Sequence, residues 1–152
     1  MKRILLALAL AWLPCSLSVR AGEPPPLTAH PDTRGWPDLF APDLSNATFA
    51  QGVWSWHKGV LAPKDKDEAI WTKHEYQNFI LDLEFNLAPA ANSGVMVYST
   101  DITNWVPNTV EIQLLDDPAP KWANIPPNWK CGGIFAHSVP LVSAVKKAGE
   151  WN

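Results

Sequence analysis

The chain has 152 residues and a formal net charge of −3, but three of its twelve basic residues and none of its fifteen acidic ones lie in the first twenty-one positions, so residues 22–152 carry −6. Those 131 residues suffice for one domain with its own core, and their acidity argues against nucleic acid and anionic membrane surfaces as partners. Only one cysteine, Cys131, lies beyond that first segment, and the four histidines are scattered, so neither a disulfide framework nor a zinc site is expected.

Residues 1–21 read as a secretory signal. Lys2 and Arg3 precede an apolar run from Ile4 to Leu13, and Val19-Arg20-Ala21 offers a small-x-small cleavage pattern. The run is too short to span a bilayer, and Pro14 before Cys15 fits a lipid-attachment box poorly. The domain is therefore read as exported, periplasmic or extracellular, with no transmembrane span. Residues 22–35, with Pro24-Pro25-Pro26 and Pro31, form an extended linker, and the folded domain is expected over 36–152.

Trp36 to Leu44 reads as a loop or short helical turn. Val53–Trp56 and Gly59–Leu61 read as two short strands joined by a tight turn at His57-Lys58. A charged loop at 63–68 leads to a strand at 69–72. The clearest alternation is Phe79 to Leu87, with Phe79, Leu81, Leu83, Phe85 and Leu87 on one face, which predicts a central antiparallel strand. Pro89 to Gly94 turns the chain, and Val95 to Ser99 is expected to pair back onto that strand. A strand at 109–115, a Pro- and Trp-rich excursion over 117–130 and a short strand at 134–136 follow. No helical periodicity appears after the signal. The fold class expected is all-β, a sandwich or jelly roll. Nothing resembling a closing strand follows Gly149-Glu150-Trp151-Asn152, so the last strands are expected to be missing.

Within the strand at 109–115, Val110, Ile112 and Leu114 are expected to face the core, and Glu111 and Gln113 the opposite side. A carboxylate beside an amide, followed by Asp116 and Asp117, suits either a solvated sheet face or a polar-substrate site. Eight tryptophans remain past the signal. Trp is hard to bury fully and its face stacks on sugar C–H groups, so a carbohydrate ligand is a compositional expectation.

Several segments in order resemble the 3-keto-disaccharide hydrolase domain family. They are Phe40 with Asp43-Leu44-Ser45, Val53-Trp54, Gly59-Val60-Leu61, Trp71-Thr72-Lys73 with Glu75-Tyr76, and Asn78 to Phe85. Asn92-Ser93-Gly94-Val95, Glu111 to Asp116, Gly133-Ile134-Phe135 and Lys147 to Asn152 complete the series, which spans residues 36–152. The resemblance implies a concanavalin-like β-sandwich and action on sugars oxidised at C3. A C3 ketone acidifies the C2 proton, so a general base can remove it, the C1 aglycone departs by β-elimination, and water adds back. The enolate needs a cation or hydrogen-bond donor.

On that resemblance Glu111 is the first candidate for base or acid and Asp116 the second, although strict alternation puts Asp116 on the core side. Lys73 is the candidate for the enolate, or else a surface lysine. Gln113 is expected to bind a sugar hydroxyl. Asn92 serves the turn before Gly94 and then substrate. His137 is a possible proton carrier, and Trp54, Tyr98 and Trp105 are stacking candidates or packing residues. Glu150 belongs to the closing motif. The chain departs from the family in having no arginine after Asn-Ser-Gly, and none anywhere after Arg34. No cofactor is implied; a divalent ion on Asp116 and Asp117 stays open, since adjacent acids are also commonly just acidic. The expected partner is an oxidised (3-keto) saccharide or another glycan. The competing functions are a non-catalytic carbohydrate-binding module and a structural exported β-domain.

Overall fold

The computed structural model describes residues 30–64 and 68–152. The expected signal, most of the proline-rich linker and the centre of the charged loop at 63–68 lie outside the described residues. The chain divides after Asp32, and the folded unit is Thr33–Asn152.

That unit is all-β, as expected. Its strands are β1 (Ala47–Phe49), β2 (Trp54–His57), β3 (Val60–Pro63), β4 (Ile70–Thr72), β5 (Asn92–Val97) and β6 (Val110–Leu115), with three single 3-10 turns at Val106–Asn108, Pro120–Trp122 and Pro127–Trp129. They form three antiparallel pairs, β1 with β4, β2 with β3, and β5 with β6, an arrangement compatible with a jelly roll. Among the described residues no helix is long and apolar enough to cross a membrane.

The β2–β3 hairpin shows why its sequence folds locally. His57 faces Val60, and the two residues between them, Lys58 and Gly59, have φ of 50° and 81°. Two consecutive positive φ values make the tight turn whose twist matches that of the flanking strands, and Gly59 adopts its conformation without steric cost. The turn is centred one residue later than expected.

The stretch from Phe79 to Leu87 is not the central strand its alternation predicts. Its backbone pairing runs through its last three residues: Phe85 and Asn152 exchange backbone hydrogen bonds of 3.0 and 2.8 Å, Asn86 bridges to Trp151, and the Gly149 N–H donates to Leu87 O at 2.8 Å. Phe79 to Glu84 enters no strand or bridge among the described residues, and Ile80 is 75% exposed. Alternation states which side chains share a face but not what lies alongside the backbone. Likewise β5 pairs with β6, in register from Asn92↔Leu115 to Val97↔Val110, rather than with the 79–87 segment.

β6 is held on both edges. Beyond its ladder with β5, Ile112 bridges to Ile134, the Gln113 N–H donates to Gly133 O (3.0 Å), the Gly132 N–H to Gln113 O (2.8 Å) and the Phe135 N–H to Glu111 O (2.9 Å). The expected short strand at 134–136 is thus an irregular third edge. Gly133 lets the 130–138 segment fold tightly on itself, because a Cβ there would come within 2.7 Å of Ser138 O and 3.1 Å of Lys130 O.

The core is small: Leu44, Ala47, Val53, Leu87, Leu115 and Ala119. It also reverses the expected facing of β6. Leu115 and Gln113 are 1% and 3% exposed, while Val110, Ile112 and Leu114 are only half-buried. The face that carries Glu111 and Gln113 therefore runs into the core at its Leu115 end, a burial that an alternating strand does not disclose.

Candidate active site

Residues opposite each other in an antiparallel ladder share a face. On one face of β5–β6 this brings together Asn92, Gly94 and Met96 with Leu115, Gln113 and Glu111. Gln113 Nε2 donates to Asn92 Oδ1 at 2.9 Å, while Gln113 Oε1 is buried with no hydrogen-bond partner. Leaving a buried acceptor unmatched costs about 1–3 kcal/mol, so this oxygen has an unmet capacity for a hydroxyl or N–H donor, one that has to reach it below the accessible surface. Asn92 stands on the strand, bonded to Gln113, rather than serving the preceding turn.

Glu111, half-buried, lies across the bare Cα of Gly94. A Cβ at Gly94 would stand 2.7 Å from Glu111 Cγ and 2.8 Å from Cδ. This face carries two acceptors, a half-buried carboxylate and a buried carbonyl, on a strand fixed at both edges. Such a surface recognises hydroxyl donors, and its carboxylate can accept a proton.

Asp116 is placed elsewhere. It is 5% exposed, its Oδ2 accepts the Ala90 N–H at 2.7 Å, and its own N–H donates to Ala91 O at 3.1 Å. Ala90 has φ of 57°, so Asp116 clamps the turn that enters β5. Strict alternation groups Asp116 with Val110, Ile112 and Leu114, a face that is only half-buried along β6, so its burial goes with the Ala90–Ala91 turn it bonds and not with the core-facing side of the strand. Asp117 accepts the Cys131 N–H at 3.0 and 3.3 Å. Burial, with the Asp117 charge adding to it, raises the Cys131 thiol above its ordinary range against a smaller opposing hydrogen bond from the Leu115 backbone. Among the described residues, no three His, Cys, Asp or Glu side chains gather as a metal-binding group.

The remaining candidates are dispersed. Lys73 Nζ donates to Ser45 O at 2.7 Å, which anchors it beside the β1–β4 pair. The Trp54 indole N–H donates to Glu68 O at 3.0 Å. The Trp105 carbonyl accepts from the Asn108 N–H and Thr109 Oγ1, so its backbone shapes the entry to β6. Tyr98, just past β5, is 70% exposed. His137 is exposed in the turn from Ile134 to Ser138. Glu150, also exposed, lies in the segment that pairs with Phe85–Leu87.

An all-β domain thus carries a half-buried carboxylate and a buried, unmatched amide carbonyl on one firmly held sheet face, acceptors suited to hydroxyl groups. The chain belongs to the 3-keto-alpha-glucoside-1,2-lyase-like domain family, whose family model matches residues 35–152. Among solved structures it is similar to a "putative glycosyl hydrolase" from Parabacteroides distasonis, at 51% identity and a TM-score of 0.70, over 74% of this chain and 57% of that one. It thus spans less than two thirds of that relative's length. No curated protein matches it.

Proposed function

We propose that this domain cleaves glycosides whose sugar carries a ketone at C3, with Glu111 taking the C2 proton. The observation that carries the reading is the Glu111 side chain laid across Gly94, on the same face as the unmatched Gln113 carbonyl. The family's name and the relative's description support a carbohydrate-cleaving role.

The ketone makes the C2 hydrogen acidic enough for a carboxylate to remove. The C2–H electron pair forms the C1=C2 bond while the C1–O bond to the aglycone breaks, and the aglycone oxygen takes a proton from the now protonated Glu111, directly or through water, which returns the carboxylate to its charged form. Water then adds back, hydroxyl to C1 and hydrogen to C2, for net hydrolysis. A sugar hydroxyl that reaches the buried Gln113 Oε1 fills its unmet acceptor and sets the ring over Glu111. One carboxylate suffices for the first step, unlike the paired acids of ordinary glycosidases. Export forms part of the proposal and is tested by amino-terminal sequencing of exported protein, which should begin near residue 22; retention of residues 1–21 would contradict it.

One observation favours a non-catalytic glycan-binding module instead: Lys73, the lysine considered for the enolate, is anchored on Ser45 O beside another strand pair. Incubation with 3-keto-trehalose or 3-keto-lactose separates the two. An enzyme releases free sugar in proportion to protein concentration; a binding module saturates with glycan and yields no product at any concentration.

A further inference from the structure

We infer that Gly94 is a positioning residue: its missing side chain is the space that holds the Glu111 carboxylate flat on the β5–β6 face beside Gln113. The inference rests on the proposed role of Glu111 and assigns a cause to its placement.

A glycine inside a strand needs a reason, since it packs nothing and loses more chain entropy on folding than other residues. Gly94 stands third in the six-residue β5 and faces Gln113 directly. Its reason is not conformational, because it is absent from the positive-φ glycines Gly52, Gly59, Gly132 and Gly149. It differs equally from Gly133, where a Cβ would strike the backbone oxygens of Ser138 and Lys130. At Gly94 the three nearest atoms are all in one side chain, Glu111 Oε1, Cγ and Cδ.

The consequence follows from what can yield. Backbone cannot move cheaply, whereas a glutamate side chain can change rotamer. Alanine at position 94 therefore leaves the strand intact and evicts the carboxylate. Glu111 faces Met96 across the ladder and reaches diagonally to Gly94, the range at which cross-strand side chains meet. A Cβ at 94 removes that resting place and takes the carboxylate away from the Gln113 end of the face.

The test compares Gly94→Ala and Gly94→Val with Ser93→Ala, a neighbour whose side chain points to the other face. Carbon-13 NMR titration of the Glu111 δ-carboxyl reads its environment in the full chain without needing turnover. The expected result is a changed Glu111 titration in Gly94→Ala, a kcat on 3-keto-trehalose lower by about tenfold or more, KM within about twofold, and Tm within about 4 °C of the parent. Gly94→Val should do at least as much, and Ser93→Ala nothing. An unchanged Glu111 titration in Gly94→Ala overturns the inference, as does a Tm loss beyond that range, which would make Gly94 a requirement of the fold. A parent chain that turns over no 3-keto sugar defeats the proposed function alone, and the titration still decides the role of Gly94.

Discussion

Gln113 donates its side-chain N–H to Asn92 across the β5–β6 ladder while its own carbonyl oxygen stays buried and unmatched. One half of the amide is thus fixed by the fold, and the other half has an unmet acceptor beneath the surface of the sheet face.

The two halves predict unequal stability effects. Asn92→Ala strips the Gln113 N–H of its partner and should destabilise by about 1–3 kcal/mol in urea unfolding. Gln113→Met keeps the volume, removes the unmatched carbonyl and leaves Asn92 to exposed solvent. It should change stability by less than about 1 kcal/mol while weakening glycan binding about tenfold in calorimetric titration.

Asp116 should behave as a clamp. Asp116→Ala leaves the Ala90 N–H without its acceptor and should cost about 1–3 kcal/mol. Asp116→Asn retains a carbonyl acceptor and should recover most of that stability. If Asp116 were instead a general base, Asp116→Asn would abolish turnover in a fully folded protein.

Much of the scaffold was legible because its signals are local. The Trp54–Pro63 hairpin, the strand at Ile70–Thr72 and the strand at Val110–Leu115 all follow from short alternations and turn residues. The partner of Phe79–Leu87 was not legible, since pairing is a long-range property that alternation leaves open. Glu111 and Gln113 were rightly placed on a shared face, but the burial of Gln113 depends on what packs beyond Leu115. Gly94 read as part of a turn, because Asn-Ser-Gly is turn chemistry; a glycine in mid-strand becomes informative only when Glu111 is seen lying over it.

Acid should loosen the 101–104 loop. Asp101 accepts hydrogen bonds from Thr103 Oγ1 (2.7 Å), the Thr103 N–H (2.9 Å) and the Asn104 N–H (3.3 Å), and these hold its carboxyl below the ordinary value of 3.8. The folded pKa lies below the unfolded one, so the stabilisation is complete above 3.8 and is lost as pH falls through the lowered folded value. Amide exchange at Thr103 and Asn104, corrected for intrinsic rates, should gain amplitude in that window. Asp101→Ala should abolish the pH dependence.

The most direct test of the account is C2 proton exchange in deuterium oxide. Parent protein incubated with 3-keto-trehalose should place deuterium at C2 of the released keto sugar, because the C2 hydrogen is removed and later replaced from solvent. Glu111→Gln, isosteric but unable to serve as a base, should lower both exchange and sugar release by about a hundredfold or more while still binding glycan. Undiminished C2 exchange in Glu111→Gln, or sugar release by the parent without deuterium at C2, would contradict the central claim.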